Sequence, residues 1–112
     1  MQYKNPYTYI ITRRDLKSFV YFCVQSIHAS IEATKKFPQP SETAFVVLCS
    51  VKNEIKLRNS LNFIQSRGIK CASFEEPDLD NQLTAIATEP VYQNQRHIFR
   101  KFQILKGETN ES

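Results

Sequence analysis

Tyr7-Thr8-Tyr9-Ile10-Ile11-Thr12 runs directly into Arg13-Arg14-Asp15-Leu16-Lys17, and that turn opens onto the stretch from Ser18 to Lys36. The first six residues are aromatic, apolar or β-branched, which predicts a short buried strand. In the last stretch Val20, Val24, Ile27 and Ile31 recur at i, i+4, i+7 and i+11, which predicts a long amphipathic helix burying that face. Arg13 to Lys17 is then a strand-to-helix turn, the place where open α/β sheets bind ligands. Arg13, Arg14 and Lys17 beside the free N–H groups of a helix N-terminus suit an anion, because the dipole and the cations act in the same direction. Phosphate is the expected class.

Working outward, Phe37-Pro38-Gln39-Pro40-Ser41 carries two prolines and must be a loop. The nearly continuous apolar run from Ala44 to Val51 predicts a central strand buried on both faces. Ile55, Leu57, Leu61 and Ile64 predict a second helix over about residues 53–67, closed by Gly68. Ile69 to Glu75 returns as a strand, and Gln82 to Thr88 forms another that Pro90 stops. Val91, Ile98 and Phe102 mark a final helical or partly helical segment. The order β-α-β-α-β-β-α predicts an α/β fold, a small four-stranded mixed sheet with helices packed on both faces.

The length of 112 residues fits one domain, over residues 1–106, followed by a flexible tail at 107–112. Eight Phe and five Tyr within an apolar content of 41% suffice for its core. Gly68 and Gly107 belong to no G-x-G or G-x-x-x-x-G-K pattern, which argues against a glycine-loop nucleotide enzyme. The net charge is +4, and because the tail holds Glu108 and Glu111 the folded part is more basic still. Such a balance favours a nucleic-acid partner without separating RNA from DNA.

Cys23, Cys49 and Cys71 cannot all pair and form no C-x-x-C motif, which fits a reducing compartment. Cys23 and Cys49 read as small buried hydrophobes rather than nucleophiles. The N-terminus lacks a signal peptide's apolar run and no segment has the length of a membrane span, so a soluble cytoplasmic protein with no membrane partner is expected. No metal or cofactor is expected either. His28 and Glu32 stand at i, i+4, but no third ligand is evident, and His97 lies on another element.

At about 100° per residue Tyr21, Gln25, His28 and Glu32 fall in one stripe bordering the Val20/Val24/Ile27/Ile31 face. That rim position predicts partial burial, with the imidazole tuned by Glu32 one turn later. The structural alternative is ordinary, since His and Gln at helix edges commonly cap loops or bond backbone groups.

Arg14-Asp15-Leu16 after the first strand, Gln25-x-x-His28-Ala29 on the helix, the apolar run from Ala44 to Val51, and Phe74-Glu75-Glu76-Pro77 followed by Thr84-Ala85-Ile86 carry a resemblance. Together and in order, over about residues 7–105, they resemble the type 2 peptidyl-tRNA hydrolases. The two-acid turn with its proline is closest to a divergent, hydrolase-like branch. The resemblance implies a four-stranded mixed sheet, a homodimer as in many members, tRNA as partner, and hydrolysis of the ester joining peptide to tRNA, which recycles the tRNA. It matches Glu75 to the family's acid, as base or orienter of a base. Gln25 and His28 would position the acyl group or relay a proton, and Lys17 would offset the oxyanion. Arg13 and Arg14 would hold phosphates near the 3′ end, with Arg100 and Lys101 as more distant contacts. The register departs from the family at its two turn lysines, where Phe19 and Tyr21 stand, and the Gly, Arg and Thr after the acid have no equivalents, Thr84 being the nearest Thr. A non-catalytic tRNA or RNA binder is therefore the alternative. Another is a protein-interaction module using Tyr7, Tyr9, Phe99 and Phe102 as a contact face.

Overall fold

The computed structural model describes residues 6–105. Its elements are β1 (Tyr7–Arg13), α1 (Phe19–Lys36), β2 (Phe45–Val51), α2 (Glu54–Ser66), β3 (Cys71–Glu76), β4 (Gln82–Thr88) and β5 (Gln103–Ile104), with short 3-10 stretches at Pro77–Leu79 and Gln93–Phe99. They build one mixed sheet in the order β3-β4-β1-β2-β5. β1 and β2 are parallel, while β4 pairs antiparallel with both β1 and β3. The α/β class is as expected, but the sheet has five strands rather than four. The extra strand pairs only with Cys49 and Ser50, too short a span for any periodicity to announce it. The end of the domain expected at residue 106 and the tail at 107–112 lie outside the described residues.

Local chemistry sets the helix ends. Ser18 caps α1, its hydroxyl accepting from the Tyr21 N–H at 3.1 Å. Asn53 caps α2 in the same way through the Lys56 N–H at 3.0 Å, satisfying a donor the first turn leaves free. After α2, Gly68 takes φ 85, the left-handed conformation that costs glycine least.

The two helices lie on opposite faces of the sheet. On one face Leu57 and Ile64 of α2 pack with Tyr9, Ile11, Leu83, Ile86, Phe99 and Phe102. The aromatics considered as a contact face are therefore largely core: Tyr9 and Phe99 stack at 3.9 Å, and the Arg96 guanidinium covers Tyr7 at 3.5 Å while donating to the Tyr9 hydroxyl. On the other face Ala29 and Ala33 of α1 meet Ile10, Ala72, Ala85 and Ala87.

The face that α1 buries is not the expected one. Val20, Val24, Ile27 and Ile31 are 72%, 40%, 58% and 48% exposed, and the buried residues are Phe22, Gln25, Ser26, Ala29 and Ala33. At about 100° per residue the two sets lie half a turn apart. The cause is steric: the sheet beneath is paved with alanines, and small residues let the helix axis approach where a branched stripe would not fit. On α2, Ile55 is also turned outward. β2 corrects a second expectation. It is not buried along both faces, because β5 pairs only with its C-terminal half while α1 lies across β3, β4 and β1, leaving Phe45 and Val46 exposed.

Candidate functional site

Because β1 and β2 run parallel and β4 runs against β1, one edge of the sheet gathers the C-terminal ends of β1, β2 and β3 with the start of β4. The first turns of α1 stand over that edge, since the tight turn after Arg13 leads straight into the helix.

Gln25 is fully buried on the sheet-facing side of α1. Its Oε1 accepts from the Thr84 hydroxyl and its Nε2 donates to Glu76 Oε1 at 2.8 Å. The other Glu76 oxygen accepts from the Asp78 N–H at 3.2 Å, capping the Pro77–Leu79 stretch. Both partners of Gln25 follow from strand geometry. Ala72, Phe74 and Glu76 alternate onto the α1 side of β3, which sends Glu75 to the other side. Phe74 pairs with Ala85 and Glu75 with Leu83, so Thr84 is the extra residue of a β-bulge, which re-aims its hydroxyl at Gln25. The acid that joins Gln25 is Glu76, which corrects the assignment to Glu75.

One turn along α1, the exposed His28 ring lies flat on Phe74, 4.3 Å between centroids. One turn earlier stands Tyr21, and the Lys17 ammonium lies 4.9 Å from the centre of its ring. The Gln25 amide first, then the Asp78 N–H and the charge of His28, hold the Glu76 carboxyl below the usual carboxylate range. The Tyr21 phenol is pushed up by lost solvation and by the charges of Glu76 and Asp78. Glu32, expected to tune His28, instead reaches Lys35 at 3.8 Å. The structure thus brings Gln25 and His28 together beside Glu76, while Lys17 meets Tyr21 one turn away. It adds Tyr21 and Thr84, which composition and spacing did not assign to catalysis.

Arg13 belongs to the frame rather than to an anion. Its Nε and Nη2 grip Asp15 at 2.7 and 3.0 Å, while Nη1 reaches Gln82 Oε1 at 2.8 Å and the Leu83 carbonyl at 3.3 Å. Its side chain is 11% exposed. The guanidinium ties β1 to β4 and has no open side for phosphate. Arg14 turns toward the end of β2, where it donates to Ser50 Oγ at 3.3 Å and remains open to solvent.

An ionised carboxylate with both oxygens bonded is a weak proton acceptor near neutral pH, so Glu76 suits holding Gln25 in place and drawing positive charge. His28, Tyr21 and Lys17 are the groups with chemistry to spare. The Cys49 and Cys71 thiols are poor nucleophiles, since burial pushes Cys49 up to about 11 and Cys71 to about 12. Among the described residues no group of three or more His, Cys, Asp and Glu is arranged to hold a metal ion, and no helix is long and apolar enough to cross a membrane.

No protein-family model matches the chain, and no curated protein does. A solved structure, the protein of unknown function Atu0240 from Agrobacterium tumefaciens strain C58, superposes with a TM-score of 0.61 at 12% identity, covering 92% of this chain and 99% of that one. At that identity the likeness shows the fold: the same α/β architecture holds a second, very different sequence end to end.

Proposed function

We propose that this protein hydrolyses the ester between a peptide and the 3′ end of tRNA. The supporting observation is the convergence of Gln25, Glu76 and Thr84 with His28, Tyr21 and Lys17 at the edge where β1 ends. In this reading Glu76 fixes the Gln25 side chain. The imidazole takes a proton from a water, whose oxygen adds to the ester carbonyl carbon. The oxyanion so formed lies toward Lys17 and Tyr21. The carbon–oxygen bond to the ribose then breaks, the imidazolium returning its proton to the leaving oxygen, which leaves a free carboxylic acid and a tRNA hydroxyl. The compartment implied is the cytoplasm, where three free thiols persist.

A second reading, a tRNA binder without turnover, is favoured by one observation: Phe19, at the position of a family lysine, is 64% exposed and uncharged. Incubating the purified protein with a peptidyl-tRNA and scoring released peptide decides between them. Turnover supports the hydrolase, while salt-sensitive binding of intact substrate supports the binder.

The apolar stripe of α1 fits a second copy of the chain. Val20, Val24, Ile27 and Ile31 have the spacing of a two-helix seam, and a cavity of about 340 Å³ beside them is lined by Ile27, Ile31, Val46 and Leu48. No charged residue lines that cavity, which suits a second copy better than RNA. With Phe19 and Val46 the stripe leaves roughly 500 Å² of apolar surface per copy. That is the upper end for a patch on a monomer and well over half of the roughly 800 Å² each partner gives a standard interface. Ridge and groove lie on the same face, as a two-fold contact requires.

A further inference from the structure

We infer that a second cleft, on the α2 side of the same sheet edge, binds the phosphodiester backbone of the tRNA, apart from the groups proposed for ester hydrolysis. This inference rests on the tRNA reading of the Gln25–Glu76 site and names where the rest of that substrate lies. The cleft holds about 550 Å³, and its walls include Arg14, Lys52, Lys56 and Lys101. Four cations face one space, and no carboxylate is among its lining residues. None of the four takes part in an ion pair among the described residues.

The fold builds this concentration of charge from three separate segments. Arg14 and Lys52 directly follow the parallel strands β1 and β2, where α/β sheets present ligand crevices. Lys56 lies in the first turn of the 13-residue helix α2, whose dipole adds positive potential at that end. Lys101 arrives from the segment after Gln93–Phe99, its ammonium held 3.8 Å from the centre of the Phe63 ring. Ser50 fixes Arg14 from below at 3.3 Å. The like charges repel one another when the cleft is empty, and an anion relieves that repulsion. Asn59 and the buried Ser60 supply neutral polar groups in the same walls.

The placement also sets a path. The ester-cleaving groups stand on the α1 side of the edge, and the cleft opens beside α2, whose Lys56, Asn59 and Ser60 line it. A tRNA whose 3′ end enters beside His28 crosses the ends of β1 and β2 and lays its backbone against Lys52 and Lys56. Phe102, the aromatic residue in the lining, is buried in the core and offers no open ring face for a base, so the cleft reads phosphate.

The test measures binding of deacylated tRNA over a salt series, with the full chain, for wild type, for Lys52→Gln/Lys56→Gln and for Lys35→Gln/Lys36→Gln. The last pair removes equal charge from the far end of α1. The cleft variant should bind about tenfold or more weakly near 0.1 M salt and lose roughly 1.4–1.8 from the slope of log K against log salt, at about 0.7–0.9 per phosphate contact. The control should stay within about twofold. Equal losses in both variants would mean a response to net charge alone and overturn the cleft, as would absence of tRNA binding by wild type at low salt. Peptide release is scored in parallel. Unaltered tRNA binding by the cleft variant alongside wild-type turnover overturns the cleft and leaves the hydrolase, whereas a cleft-dependent slope without turnover supports the cleft and overturns the hydrolase.

Discussion

At the scale of single residues, the structure separates cations that hold the fold from cations free to act. Arg13 and Arg14 are neighbours in sequence with opposite fates, one closed in by Asp15, Gln82 and Leu83 and the other open to solvent beside Ser50. The Arg13 hydrogen bond, followed by its charge, holds the Asp15 carboxyl below the usual carboxylate range. A carboxyl with a lowered folded-state pKa stabilises the fold above its unfolded value, about 4, and that contribution is lost as pH falls through the folded value. Urea unfolding of wild type and Arg13→Gln should therefore show a stability gap at pH 7 that narrows at about pH 3. A gap of the same size at both pH values would mean that Arg13 acts by packing and not through Asp15.

Element by element, what was legible in the chain depended on how local the cause was. The α1 cap at Ser18, the α2 cap at Asn53 and the left-handed Gly68 are set within a few residues of one another, and the sequence boundaries fell close to them. The orientation of α1 was not legible, because it is set by Ala72, Ala85 and Ala87, some 40 to 60 residues away in the chain. Branched residues at helical spacing ordinarily mark a core face, and here they mark the opposite one. Glu76 was within reach of strand alternation through Ala72 and Phe74, whereas Thr84 depended on a bulge that no spacing announces. The rotation of α1 has a direct test in urea unfolding. Ala29→Leu should destabilise the protein by about 1–3 kcal/mol through overpacking, while Val20→Ser on the outward stripe should change monomer stability by about 0.5 kcal/mol or less. The reverse order would place the stripe in the core.

For the whole molecule, the two faces of the sheet divide the work. The α1 side carries the Gln25–Glu76 network and the outward apolar stripe, and the α2 side carries the main core and the basic cleft. Sedimentation equilibrium should show wild type as a dimer at micromolar concentration and Ile27→Glu as a folded monomer, because a charge placed in a two-fold seam meets its own copy. A wild type that stays monomeric across that range would end the second-copy assignment. The site at the sheet edge is built within one chain, so the hydrolytic reading does not depend on that result.

The most direct test of that reading is the rate of peptide release from a peptidyl-tRNA by wild type, His28→Ala, Glu76→Gln and Glu75→Gln at saturating enzyme. Wild type should turn over and His28→Ala should lose about a hundredfold or more, the scale of a lost acid-base group. Glu76→Gln should fall substantially, while Glu75→Gln, on the far face of β3, should stay near wild type. Absence of release by wild type, or equal rates in wild type and His28→Ala, would contradict the account.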